Sequence, residues 1–221
     1  MNADTNEIKI SRWAQKVLKS GCTINSIKTI KEIRKKNNEL LFSLLDTEVI
    51  SPDNKRLPNI VFIRGDACVI VTLLKNRDTG EEKFLMIRQW RIGNGQYSLE
   101  FPAGMLDEHV DDPMGVAVRE LDEETGLKVS ENEIFALTDD VLYSSAGASD
   151  EGIYYFGCVK ELDNQTFLSF DKRSGGNPNE HEYIVSELLS RKEAEAAVTS
   201  LQARLGFFLF EQKYNPTRTI R

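Results

Sequence analysis

A chain of 221 residues is long for one minimal domain and short for two full ones, so a core domain with an appendage is expected. Apolar residues make up 40% and charged residues 29%, a globular balance with enough apolar mass to bury a core. The charge balance, 28 Lys and Arg against 35 Asp and Glu, is −7 and argues against DNA or long RNA as a ligand, since such binding draws on phosphate neutralisation by basic side chains.

In chain order, a short amphipathic helix is predicted over 11–19, with Trp13, Val17 and Leu18 as its apolar edge. A basic stretch, 28–36, leads into a strand at 40–45, a Ser51-Pro52-Asp53-Asn54 turn and a strand at 59–63. These elements predict a small appended sheet. Apolar runs at 66–75 and 82–90 flank Asn76-Arg77-Asp78-Thr79-Gly80 in a hairpin pattern. A third strand, 97–101, ends at Pro102-Ala103-Gly104, and a helix follows over 114–124 with Thr125-Gly126 as its stop. Ser130 and Glu133 form a capping-box pattern before strands at 134–137 and 152–158, which bracket a long loop, 139–151. A second long loop, 171–179, is rich in Gly, Asn and Pro, and loops of this size in compact domains are often functional. Ser190 and Glu193 open a terminal helical region whose Ala194, Val198, Leu201, Leu205 and Phe208 are predicted to pack into the core.

No apolar run approaches the ~18–20 residues that span a bilayer, so no membrane association is expected. The opening MNADTNEIKI carries acids and no apolar h-region, which predicts no secretory signal. The scattered Cys22, Cys68 and Cys158 suit a reducing cytoplasm, and with His109 and His181 the only histidines, a metal would be held by oxygen ligands.

The chemistry concentrates in RELDEETGL, 119–127. On a helix, Glu120, Glu123 and Glu124 fall at roughly 0°, 300° and 40°, so their carboxylates share one face about 100° wide. Arg119, four residues before Glu123, can pair with it. One reading is a solvated acidic face. Against it, like charges ~4 Å apart repel by about 4 kcal/mol at an effective dielectric of about 20, and no lysine dilutes the cluster between Val116 and Thr125. The other reading is a site for a hard cation, since Mg²⁺ takes carboxylate oxygens and substrate phosphates. Ahead of the helix, Gly104 is expected to permit a φ that other residues avoid, and Asp111-Asp112-Pro113 supplies an Asp N-cap with Pro in the first turn.

Residues 104–127 resemble the Nudix box, GX5EX7REUXEEXGU, with Arg119, Glu120, Leu121, Glu123, Glu124, Gly126 and Leu127 at their motif positions. Two departures stand: six residues, not five, follow Gly104 before the next acid, and that acid is Asp111 in place of Glu. The stretch RQWRIGNGQYSLEFPAGMLDE, 88–108, together with PNIVFI-Arg64-Gly65 and SSAGASDE at 144–151, is similar to the ADP-ribose and ADP-sugar pyrophosphatase branch. The resemblance implies an α+β fold: a Nudix α/β/α sandwich, with a mixed sheet between helices, over 59–221, and an N-terminal antiparallel β-sheet appendage over 1–58 that makes a homodimer and contacts substrate.

It also implies a small-molecule nucleotide-sugar substrate, cleaved at the pyrophosphate to a nucleoside monophosphate and a sugar phosphate with Mg²⁺, or Mn²⁺ in its place. Glu120 and Glu124 would bind the metal with the Ala103 carbonyl, and Glu123 would either join them or hold Arg119. Asn179-Glu180-His181-Glu182 resembles the branch's loop acids, making Glu180 the general base and Glu182 a further metal ligand, with Glu151 as the rival base or a substrate contact. Arg88 and Arg91, read as sharing one strand face, would neutralise the diphosphate; Glu100 would contact substrate and Trp90 would stack on a base. The alternatives are a UDP- or GDP-sugar diphosphatase, a catalytically silent binding module, and an RNA 5′-end hydrolase, the last disfavoured by the charge.

Overall fold

The computed structural model describes residues 7–107, 111–177 and 182–214. They form two compact units, one drawn from the described residues within Met1–Ala67, Leu106–Val110 and Leu142–Ile153, the other from those within Cys68–Met105, Asp111–Val141 and Tyr154–Arg221.

The first unit begins with helix α1 (Ile8–Lys19), whose buried positions are Lys9, Ile10 and Ala14. Trp13 packs against a cluster of Ile10, Leu40, Leu45 and Ile63, while Leu18, predicted on the apolar edge, is exposed. The helix starts three residues earlier than predicted, and its core-facing stripe is Ile10, the partly buried Trp13 and Ala14, an i, i+3, i+4 set. Strands β1 (Thr23–Arg34), β2 (Leu40–Ile50) and β3 (Ile60–Ile63) form an antiparallel sheet in that order. The basic stretch expected to precede the sheet is therefore part of its longest strand. Its isoleucines, Ile24, Ile27, Ile30 and Ile33, recur every third residue, and register shifts break the period of two that would have marked a strand. Strand β9 (Leu142–Tyr143) pairs with Gly152 and Ile153, closing the 142–153 loop.

The second unit is built on a sheet of β4 (Ala67–Asn76), β5 (Glu82–Arg91), β6 (Gln96–Glu100), β7 (Ala103–Met105), β8 (Ile134–Ala136), β10 (Gly152–Leu162), β11 (Ser174–Gly175) and β12 (Ile184–Leu189). Its order is β11-β12-β5-β4-β10-β8, with β6 beside β5 and β7 beside β4. All but one residue of β4 is buried, as befits a central strand covered on both faces. Helix α2 (Pro113–Thr125) is the acidic helix. Asp112 caps it by accepting from the Gly115 amide at 2.9 Å, Pro113 opens the first turn, and Gly126 ends it in the left-handed region at φ 74°. Helix α3 (Asn164–Leu168) is short and was not predicted.

The capping box read from the sequence at Ser130/Glu133 forms, and Ser190 and Glu193, read as opening the terminal helical region, form a second. The terminal region, however, is two helices, α4 (Arg191–Ala197) and α5 (Leu201–Tyr214), because Val198 turns extended and resets the phase. Ala194 and Val198 are buried as predicted, but Leu201 and Phe208 are exposed, and the buried face of α5 is Ala203, Gly206, Phe207 and Phe210. Phe207 and Phe210 meet Phe84 of β5 edge-on, with centroids at 5.0 and 5.7 Å. The α+β class expected from the sequence is met. Among the described residues, no helix is long and apolar enough to cross a membrane.

Candidate active site

Of the residues predicted for the site, Ala103, Glu120 and Glu124 come together where β7 meets α2. Glu124, in the last turn of α2, is 3% exposed, and its Oε2 accepts the Ala103 amide at 3.0 Å. Burial pushes its carboxyl well above the usual carboxylate range; the neighbouring Glu120 and Glu182 push the same way, and the Ala103 amide and Arg91 oppose them. Glu120, one turn earlier, lies against Gly104. A Cβ built on Gly104 would stand 2.0 Å from the Glu120 carboxyl carbon, so any side chain there would have to displace the Glu120 carboxylate from its place against the loop. This corrects the expectation of an unusual backbone angle, since Gly104 is not among the positive-φ glycines. Cys68 shares this neighbourhood. Burial pushes its thiol up to about 12, helped by Glu120 and Glu124 and opposed by a backbone hydrogen bond at Gly104, so it is a neutral filler and not a nucleophile.

The arginines divide. Arg91 forms a two-point ion pair with Glu100, Nε to Oε1 at 3.3 Å and Nη2 to Oε2 at 2.7 Å, and it also feels the charges of Glu124 and Glu182. Arg88 instead pairs with Glu187 of β12 at 2.8 and 3.0 Å, and Lys172 reaches the same carboxylate at 2.8 Å. The two arginines were expected on one face. They are three residues apart, and the strand's period of two sets them on opposite faces. Trp90 follows Arg88's parity, 57% exposed, with its ring edge-on to Tyr97 at 5.1 Å.

The expected single stripe of three acids also divides. Glu123 and Arg119 are exposed and line a shallow depression with Asp122 and Lys128, and no ion pair joins the two among the described residues. In angular terms Glu123 lies on the far side of Glu120 from Glu124, so when Glu124 turns fully inward Glu123 turns out. Among the described residues, no three His, Cys, Asp or Glu side chains stand close enough to hold an ion unaided, which like-charged carboxylates do not do without a counter-charge. Glu180 and His181 lie outside the described residues. Glu151 belongs to the first unit, 9% exposed, where Ser144 Oγ donates to its Oε2 at 2.5 Å and Arg64 Nε stands 2.8 Å from its Oε1. Beside it, Asp150 accepts the Arg64 and Gly65 amides at 2.7 and 3.1 Å.

Residues 66–204 match the model of the NUDIX domain, a span that holds the whole of α2 and its flanking loops. The chain belongs to the Nudix family. Among curated Nudix relatives, it is 29% identical over 164 residues to "Nudix hydrolase 14, chloroplastic" of Arabidopsis thaliana, covering 71% of this chain and 52% of that protein. It is 40% identical over 64 residues to "ADP-sugar pyrophosphatase" of Mus musculus, covering 29% of this chain and 28% of that protein. The chain thus spans about half the length or less of these relatives. A solved structure, a crystal structure of an ADP compounds hydrolase, superposes with a TM-score of 0.59 over 90% of this chain and 97% of that one, at 17% identity, a likeness of fold alone.

Proposed function

We propose that this Nudix chain hydrolyses the pyrophosphate bond of a nucleoside diphosphate sugar, ADP-ribose or another ADP-sugar first, releasing AMP and a sugar phosphate. The observation that carries the reading is the buried Glu124 carboxylate, set against the like charges of Glu120 and Glu182 with Arg91 as the counter-charge. Such a set is costly by itself and suits an all-oxygen site for Mg²⁺ or Mn²⁺, with Glu120, Glu124, Glu182 and the Ala103 carbonyl as ligands. A divalent ion bound there neutralises charge on the diphosphate and polarises the phosphoryl oxygens.

The chain's own residues do the rest. Arg91, held by Glu100, offers fixed positive charge to the diphosphate without having to be ordered on binding. Glu180 takes the proton of the attacking water, an assignment that rests on the loop pattern Glu180-His181-Glu182. The rival, Glu151, already has both carboxylate oxygens engaged, which suits a loop anchor. Arg88 and Trp90, on the other face of β5, take no part in this reading; Glu123 and Arg119 serve at most to hold the helix surface. The ADP preference is supported by the flanking resemblance and by the name of the mouse protein. A screen of ADP-, UDP- and GDP-sugars with Mg²⁺, read by phosphatase-coupled phosphate release, is expected to rank ADP-ribose first. A UDP- or GDP-sugar at the head would shift the base assignment, and binding without turnover would favour the silent module.

The N-terminal region, 1–58 in this reading, serves as a dimerisation sheet. Its outer strand β1 offers a 12-residue edge with Ile30 and Ile33 about half exposed. Sedimentation is expected to give a dimer, and a monomer at micromolar concentration would discard this role. Three free cysteines, two of them buried, support a reducing compartment such as the cytoplasm for the working chain.

A further inference from the structure

We infer that Gly175 is a positioning residue: it lets residues 174–177 lie backbone to backbone on the last turn of α2, and so sets Glu182, whose amide bonds Asn177, beside Glu124. The inference rests on the metal-binding reading above and adds a residue that the acidic motif does not contain.

Strand β11 is only two residues long, Ser174 opposite Val185 and Gly175 opposite Ile184, and so short a ladder is a weak hold. The end of α2 supplies the stronger one. The Glu123 carbonyl is in the helix's last turn, where intrahelical partners run out: Gly126 donates to Asp122, and Leu127 donates to the Thr125 hydroxyl. Gly176 donates its amide to this Glu123 carbonyl at 3.2 Å. One residue earlier, a Cβ on Gly175 would stand 1.9 Å from the Glu124 carbonyl oxygen and 2.6 Å from its carbonyl carbon. Both are backbone atoms of a helix and cannot swing aside. Gly175 has no positive φ, so the demand is for space alone.

The contact continues to the acid. Gly176, at φ 82°, brings its α-carbon side against the Glu182 carbonyl, where a Cβ would meet oxygen at 3.0 Å, and the Glu182 amide donates to Asn177 O at 3.1 Å. The path from helix to acid is therefore Glu123 O, Gly176, Asn177, Glu182, all through main chain. The near side of the segment is anchored separately: Lys172 N donates to Ser186 O and Ser186 N donates to Arg173 O, both at 2.8 Å, and Ser186 Oγ donates to Phe170 O at 2.6 Å. The charge of Glu182 is felt at both Glu124 and Arg91, as this placement requires.

A purely structural glycine would alter stability and leave the metal site alone, so the test reads the metal. Mn²⁺ binding is measured by titration on the full chain, for wild type, Gly175→Ala, Glu182→Gln and the double variant. Gly175→Ala is expected to weaken Mn²⁺ about tenfold or more, the usual scale for residues that orient a ligand. The double variant should bind no more weakly than Glu182→Gln alone, because both changes remove the same ligand. If Gly175→Ala binds Mn²⁺ like wild type, or if the two losses multiply, the inference is overturned while the metal reading stands. If wild type binds no Mn²⁺, the metal reading fails and the inference falls with it. Should Gly175→Ala not fold, wild type alone decides: coupling is reciprocal, so saturating Mg²⁺ must slow hydrogen exchange of the Gly176 amide several-fold relative to the Leu85 amide of β5. Unchanged Gly176 exchange in a chain that binds Mg²⁺ overturns the proposal.

Discussion

Glu124→Gln is expected to remove turnover, by on the order of 10²–10³-fold or more, and at the same time to raise the melting temperature of the metal-free protein. The two effects share one cause. Glu124 is buried among like charges, so its native carboxyl holds a proton more tightly than in the unfolded chain. Below the ordinary carboxylate range both states are protonated and nothing is lost. As pH rises from there through the raised native value, the folded state carries an increasingly unfavourable anion, and above that value the penalty is complete. Metal-free stability from this group therefore falls with rising pH, and glutamine, which carries no charge, escapes the loss.

Mg²⁺ is expected to act in the opposite sense: taken up by the ionised form, it should gain affinity through the same pH window. Thermal melts of wild type and variant at neutral pH, with and without Mg²⁺, check this. In a chain of this size each kcal/mol is worth about 2–4 °C, so the crossing of the two behaviours is measurable. A variant that is inactive and also less stable without metal would mean that Glu124 is held for structure.

Glu180→Gln is expected to lower turnover by about 10²–10⁴-fold, the usual contribution of a general base, while leaving Mg²⁺ affinity near wild type. The acidic limb of the pH profile should vanish with it, since that limb reports ionisation of the base. Glu151→Gln provides the contrast. Its carboxylate ties Ser144 to Arg64, so its loss should loosen the 142–153 loop and cost far less activity. Normal turnover in Glu180→Gln with a dead Glu151→Gln would reverse the assignment.

The parts of this site that were legible in the sequence are those set by local rules. Asp112, Pro113 and Gly126 bound α2 through cap and turn preferences that a few neighbouring residues decide, and the Ser/Glu boxes at 130–133 and 190–193 formed for the same reason. The family motif located Glu120, Glu124 and Ala103 together.

What the sequence obscured depends on packing. Helical angles placed Glu123 near Glu120 but could not say which edge of the stripe would turn inward. Arg88 and Arg91 look alike in a string, yet the strand's alternation gives one to Glu187 and the other to Glu100. The phase of α5 was lost because an extended Val198 interrupts the periodicity, and β1 was missed because its register shifts erase the period of two. Gly175 is demanded by the Glu124 carbonyl, and Gly104 faces the Glu120 carboxylate, atoms distant in sequence that no local pattern encodes.

The central claim is that the acids of α2 grip a divalent ion and thereby make a phosphoanhydride breakable. Its most direct measurement is AMP release from ADP-ribose by the full chain, followed with Mg²⁺, after chelation, and after Mg²⁺ is restored. Release that stops with chelation and returns with the metal is the expected result. Release that continues undiminished in chelator, or the failure of every nucleotide-sugar to react in a chain that holds Mg²⁺, would contradict it.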